Sequence, residues 1–258
     1  MPWTFAHPAA VLPLRRFGSR RIPFAGLVAG SMAPDIGYYF GRYDVGAFAH
    51  APVGVVLFCV PVSMALVLVV IRLRTLLTAP LPQSHRSALR AIEPFVPSSP
   101  RSFAALAAAA LLGAVTHIVW DAFTHAPGTT THSFAFLGRN ALALGGHTFY
   151  VHNLVQYAST LAGLAFLAAA YRRWLNGNPS RHSPGGEDRP RIAAVASSAI
   201  LATACGFAVS MFTSPMRETV AGVVVRGVTY GTALFVAAWL ALAITFARRE
   251  SRPAHEPC

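Results

Sequence analysis

The run Phe103-Ala-Ala-Leu-Ala-Ala-Ala-Ala-Leu-Leu-Gly-Ala-Val-Thr-His117-Ile-Val-Trp-Asp121-Ala122 decides the fold class. It is nearly all apolar and long enough to cross, as an α-helix, a hydrocarbon core about 30 Å thick. Four more runs pass the same test, at 53–71, 154–171, 192–214 and 227–247, each bounded by Arg, Pro or Gly. Over the 258 residues 54% are hydrophobic and 12% charged, with a mean hydropathy of +0.50, too apolar for a typical soluble domain. The expected fold is all-α: a polytopic helical membrane protein with five long transmembrane helices and a short N-terminal helical hairpin. It is read as a single membrane domain, 1–258, with the hairpin and an outer-face segment in 1–52, the transmembrane helices in 53–247 and a cytoplasmic tail in 248–258. Met1-Pro-Trp-Thr-Phe-Ala-His-Pro8 lacks the basic region that precedes a secretory leader, so no cleaved signal peptide is expected.

The net charge of +12 and pI near 11 raise the question of nucleic acid, which the distribution of arginine answers. There is no lysine. When loops alternate across the membrane and residues 15–21 are placed in the cytoplasm, 17 of the 21 arginines fall on that side. Arg42, Arg139, Arg217 and Arg226 remain on the other. This asymmetry is the positive-inside rule, and it accounts for the basic pI with no nucleic-acid partner. The expected location is the cell (inner) membrane, multi-pass, with the lipid bilayer as partner; oligomeric state is not legible. Cys59, Cys205 and Cys258 show no C-x-x-C spacing and define neither a disulfide nor a zinc knuckle. Five prolines between Pro80 and Pro100 argue for an irregular cytoplasmic loop over 72–102, and Asn176 to Arg189 reads as a linker.

With that topology the ionisable groups collect at the outer ends of the spans. The segment Ile22 to Asp35 runs outward and ends on an acid; His50 precedes Pro52, a good first-turn residue for the next helix. The run from Phe103 carries His117, Asp121 and His125 to its outer end, before Pro127-Gly128. The loop beyond adds His132, His147 and His152. Positions i, i+4 and i+8 form a stripe roughly 80° wide, so His117, Asp121 and His125 face one way. The rise over eight residues is about 12 Å, too long for all three to bind one ion on a regular helix. His117 and Asp121 can share an ion, while His125 is left to bind a neighbouring ion, contact substrate, or fold back where the helix ends.

A bland reading stands beside this one. An Asp near a helix end can reach interfacial water, and a His can donate to a carbonyl within the bundle. For Asp35, His50, His117 and Asp121 together the metal reading gains, because a buried charge without a partner is costly. Imidazole and carboxylate without thiolate suit zinc, manganese or iron better than copper(I). Gly26-x-x-x-Gly30 reads as close helix packing. Gln156, Ser159 and Thr160 read as interhelical hydrogen bonding rather than catalysis. No nucleophile elbow, P-loop or dinucleotide fingerprint is present.

Several motifs occur together in order: Thr4-Phe-Ala-His-Pro-Ala-Ala-Val-Leu-Pro-Leu14, Gly30-Ser-Met-Ala-Pro-Asp35, His50 ahead of a span with Phe58-Cys-Val-Pro61, Thr116-His-x-x-Trp-Asp-x-Phe-Thr-His-x-x-Gly128, and Gln156-x-x-Ser-Thr160. They closely resemble an uncharacterised bacterial membrane family, domain of unknown function four thousand one hundred eighty-four, over about residues 1–247. More distantly, the order His, Pro-Asp, His, His-x-x-x-Asp resembles the membrane-bound metal-dependent hydrolases and the all-helical zinc phospholipase C and nuclease superfamily. That resemblance implies His7, Asp35, His50, His117 and Asp121 as metal ligands. Gly37 stands where the hydrolase pattern Pro-Asp-x-Asp places a second acid, and only Ala49-His50-Ala51 remains of its His-rich motif.

If His7 joins Asp35 it lies on the outer side, while Arg15 to Arg21 favour the cytoplasm. Residues 7–15 rise only about 13 Å as helix, too short for a crossing. A short hairpin that dips to the arginines and returns to Asp35, shielded from lipid, meets both conditions. The function expected is a metal-dependent hydrolase at the extracytoplasmic interface, with a divalent metal ion, zinc or manganese, and a lipid-linked or amphiphilic substrate. His125 or His132 would move protons as the catalytic residues. The alternative is a non-enzymatic membrane protein whose His/Asp cluster holds a structural metal or serves as an ion or proton path. The spans 192–214 and 227–247 carry no acid or histidine, which weakens transport.

Overall fold

The computed structural model of the protein describes residues 3–17, 22–125, 134–144, 147–178, 188–213 and 220–251. It is helical almost throughout, and five helices have the length and hydropathy to cross a membrane: Pro52–Thr78, Pro100–Thr124, Val151–Asn176, Asp188–Thr213 and Gly222–Glu250. The protein is a multi-pass membrane protein with a lipid bilayer as its surroundings. The chain divides into two compact units, one of Met1–Leu68 with Phe95–Arg172, the other of Val69–Pro94 with Arg173–Cys258.

In the first unit the expected hairpin is built from short pieces. A 3₁₀ turn Thr4–Ala6 leads into α1 (Pro8–Val11) and a second 3₁₀ stretch Leu12–Phe17. The chain returns along α2 (Phe24–Met32), a 3₁₀ turn Ala33–Asp35, α3 (Ile36–Tyr39) and α4 (Tyr43–His50). Pro8, Pro13 and Pro34 lack the amide that a longer helix would use, which keeps these elements short. Val11 and Leu27 are buried against each other and against Ala109 of α8 (Pro100–Thr124). That apolar contact closes the hairpin onto the bundle.

The approach of α2 to α8 is set by glycine. A Cβ on Gly30 would lie 2.1 Å from the Ala110 carbonyl oxygen, and one on Gly113 would lie 2.2 Å from that of Leu27. Only hydrogen fits at either place, so the two backbones touch, as Gly26-x-x-x-Gly30 implies. A third close approach seats α4. Ala51 is extended, Pro52 opens α5 (Pro52–Gly54), and a Cβ on Gly54 would lie 1.7 Å from the Phe48 carbonyl oxygen. A π-helical turn Val55–Cys59 follows and runs into α6 (Val60–Thr78).

Three departures from the sequence expectation have local causes. The helix begun at Pro52 continues through Arg72 and Arg74 to Thr78, and α7 (Gln83–Arg90) occupies part of the stretch expected to be irregular. Prolines punctuate that stretch without preventing short helix between them, and Pro100 itself opens α8 behind a Ser99–Ser102 capping box. Within the loop after α8, strands β1 (Asn140–Leu144) and β2 (His147–Tyr150) pair antiparallel. Gly145-Gly146 between two short apolar runs is a hairpin signal in the sequence.

The unit ends within α9 (Val151–Asn176), at Arg172. Trp120 donates its indole N–H to Ser159 Oγ (3.3 Å), the interhelical role expected of that hydroxyl, while Thr160 Oγ1 accepts from the Trp3 backbone N–H (3.2 Å) ahead of the first 3₁₀ turn. In the second unit α10 (Asp188–Thr213) and α11 (Val220–Glu250) pack backbone to backbone, where a Cβ on Gly206 would lie 2.2 Å from the Gly231 nitrogen. Arg191, buried over the Phe246 ring, joins Arg86 in donating to Glu250 Oε1, and Arg90 donates to Oε2. Burial and the neighbouring Arg191 pull the Arg86 guanidinium below its usual range.

Candidate metal centre

Helix α8 presents His117 and Asp121 from one face. Because α2 lies against α8 at Gly30 and Gly113, the carbonyl of Ser31 falls 2.8 Å from His117 Nδ1. The 3₁₀ turn after α2 then delivers Asp35 beside the same imidazole. The last residue of α4 brings His50, whose Nδ1 lies 2.8 Å from the Gly46 carbonyl. A carbonyl only accepts, so each of these Nδ1 atoms carries the proton, and in the neutral ring Nε2 is left as a lone pair.

Both Nε2 atoms point at carboxylate oxygens. His117 Nε2 lies 3.5 Å from Asp35 Oδ1 and 3.3 Å from Asp121 Oδ2; His50 Nε2 lies 3.7 and 3.5 Å from the same two atoms. One ligand atom from each of Asp35, His50, His117 and Asp121 falls within 4.8 Å of all the others. With both rings neutral, lone pairs face lone pairs. Charge-assisted N–H···O bonds are about 2.7–2.9 Å long, shorter than these separations. Ligand atoms about 2.1 Å from one tetrahedral ion lie roughly 3.4 Å from each other, in line with them.

Asp35 and His117 are fully buried, Asp121 nearly so, and His50 keeps about a quarter of its side chain (23%) exposed. Asp35 Oδ1, Asp121 Oδ1, His117 Nε2 and His7 Nε2 are buried without a hydrogen-bond partner among the described residues. No arginine among them pairs with either acid, so the two carboxylates sit in a low-dielectric interior with imidazoles as their ion-pair partners. A divalent cation would balance both charges and satisfy the orphaned Asp35 Oδ1 and His117 Nε2 at once. This buried group could hold a metal ion, and its residues fit one.

His7 begins α1 and stacks on His117, with ring centroids 3.7 Å apart; its Nε2 lies 3.5 Å from Asp121 Oδ1. Burial, with a contribution from His117, lowers its pKa to about 4 against the opposing pull of Asp121 and Asp35. Burial thus favours the neutral imidazole of His7 beside Asp121. His125 ends α8 with an extended backbone, and its Nδ1 folds back to 3.0 Å from the Asp121 carbonyl and 3.8 Å from Oδ2. Of the roles open to it, folding back is the one observed. Burial lowers its pKa. His132 lies outside the described residues.

Two participants were not singled out from the sequence. Thr4 Oγ1 donates to Asp35 Oδ2 (2.6 Å), and Tyr39 OH donates to Thr4 Oγ1 (2.7 Å). Burial raises the Tyr39 pKa to about 12, which keeps its proton in place for that bond. The chain orients Asp35 so that Oδ2 is satisfied and Oδ1 is free. A hydroxyl three residues before His7 and a phenol four after Asp35 were the available signals, shared by many residues without such a role. Gly37 also finds its explanation: a Cβ there would lie 2.6 Å from the Gly46 nitrogen, leaving no room for an acid.

These features define the class: a multi-pass helical membrane protein with a buried His/Asp group able to hold a metal ion. The chain belongs to the family described as Domain of unknown function (DUF4184), whose model matches residues 1–244 and so includes the whole group. No curated protein and no solved structure matches it.

Proposed function

We propose that this protein is a membrane-bound metal-dependent hydrolase, acting at the extracytoplasmic face of the cell (inner) membrane on an ester or phosphoester of a lipid-linked or amphiphilic substrate. The observation that carries the reading is the convergence of imidazole Nε2 atoms and carboxylate oxygens, each nitrogen aimed by a carbonyl behind the ring. Asp35, His50, His117 and Asp121 would hold the ion, with His7 beside Asp121; zinc and manganese suit this donor set. A divalent ion there supplies Lewis acidity, which polarises the scissile group and lowers the pKa of a nearby water.

The chain's own residues supply orientation and proton handling. Ser31 and Gly46 carbonyls fix the tautomers of His117 and His50, and Tyr39 with Thr4 fixes Asp35. His125, partly exposed at the end of α8 and 3.8 Å from Asp121 Oδ2, would hold a proton and pass it outward, a role that His132 could share. A purely structural ion would call for a closed shell. The exposed edge of His50 and the cavity at His7 favour an open one.

Protein purified without chelator should contain stoichiometric zinc or manganese. Chelation should lower its thermal stability and abolish hydrolysis of a chromogenic ester or phosphodiester. His117→Ala and Asp121→Ala should lose the metal and be destabilised, because ligand binding contributes to folding. His182→Ala should change neither. A wild-type protein with no metal, and no thermal response to added zinc or manganese, would rule out the site and the hydrolase together.

A further inference from the structure

We infer that the apolar cavity between the N-terminal helical turns and α9 receives a hydrocarbon chain of a membrane lipid and presents that lipid's head group to the His/Asp group. This assignment rests on the hydrolase reading and gives its substrate a seat. The cavity, about 330 Å³, is lined by His7, Ala9, Trp120, Ala162, Gly163 and Phe166, among others. That volume is at the low end for small-molecule sites. His7 belongs to both places: it lines the cavity, and its Nε2 lies 3.5 Å from Asp121 Oδ1.

The walls state the chemistry of the occupant. Ala6 and Ala9 pack close to Gly163, where a Cβ would lie 3.2 Å from the Ala6 carbonyl oxygen and 3.5 Å from the Ala9 methyl group, and beside that contact the cavity is walled by the small Ala10 and Ala162 with the rings of Trp120 and Phe166. Its polar wall groups are His7, Trp120 and Ser159, and the last two are bonded to each other. Sugars and nucleotides would find few partners, whereas a hydrocarbon chain needs none. A second cavity of about 420 Å³ continues past the shared Phe166 along Leu12, Pro13 and Ala170 to Arg15. From Ser159 to Ala170 the groove follows about 16 Å of helix, roughly half of a hydrocarbon core. Only 11% of α9's most apolar stretch is buried, so its flank faces lipid and a chain can enter sideways from the bilayer.

The test uses the full chain in nanodiscs containing a phospholipid with a diazirine on its acyl chain, with photo-crosslinks mapped by peptide. Crosslinks are expected to concentrate on residues 6–15 and 159–170, to be competed by unlabelled phospholipid, and to be lost in Ala162→Trp. Labelling of the exposed Ile200 and Leu201 on α10 should persist in that variant. Ala9→Leu fills the groove from the opposite wall and should reproduce the loss if Ala162→Trp does not fold. Labelling of the groove no denser than on α10, or unchanged by either filling variant, would overturn the assignment. Metal content read on the same samples separates the two ideas: groove labelling without metal leaves the lipid seat and removes the hydrolase, whereas metal without groove labelling does the reverse.

Discussion

At the scale of residues, Asp35 shows how a carboxylate is prepared for an ion. One oxygen is held by Thr4, itself held by Tyr39, and the other is buried with no hydrogen bond among the described residues. Thr4→Val and Tyr39→Phe remove this orientation without removing a ligand. Both are expected to weaken zinc binding by about 10–100-fold, the usual cost of losing an outer hydrogen bond to a ligand. Competition with a fluorescent chelator measures it, and unchanged affinity in both variants would show that the relay does not tune the site. The pairing of His117 with Asp121 was visible in the sequence because i, i+4 spacing is a local property of a helix. The service of Thr4 to Asp35 was not, since a lone hydroxyl has many possible partners.

Among elements, the contact of α2 with α8 does most to assemble the group, and its glycines are not equivalent. A Cβ at Gly30 meets the Ala110 carbonyl oxygen at 2.1 Å, whereas one at Gly26 meets the Ala109 methyl and the Leu106 side chain at 2.9 Å and the Leu106 carbonyl oxygen at 3.1 Å. The overlap at Gly30 is the deeper and is wholly with backbone. Gly30→Ala should therefore cost about 1–3 kcal/mol, the range for overpacking, and Gly26→Ala less. Only the former should also reduce metal content, because it pushes Ser31 away from His117. Thermal unfolding and metal analysis of the two variants side by side provide the check; equal effects would mean that the close approach at Gly30 does not position the site. The sequence motif pointed to close packing, but which helix would be the partner became plain only in the fold.

For the whole molecule, the 17-to-4 division of arginine predicts orientation: α7 in the cytoplasm and the β1–β2 region outside. In a background lacking Cys205 and Cys258, a cysteine placed at Gly138 should react with an impermeant reagent on intact cells, and one at Ser87 should not. The opposite pattern would invert the topology and move the metal group to the cytoplasmic face.

The sequence by itself determined the five spans and the short N-terminal hairpin, and it carried the expectation that Asp35, His50, His117 and Asp121 share one end of the spans. Hydrophobic length, charge bias and helical spacing are properties of local stretches and can be counted along a chain. Only the tertiary structure decided that Asp35 and His50 turn their free atoms onto the His117–Asp121 pair, that His7 stacks on His117, that Gly37 leaves no space for a second acid, and that His125 folds back on leaving its helix. Those outcomes depend on how closely backbones far apart in sequence approach one another. That distance is set by which residues lack a Cβ at the crossing and by where buried carbonyls find donors, so it emerges only when the packed elements meet.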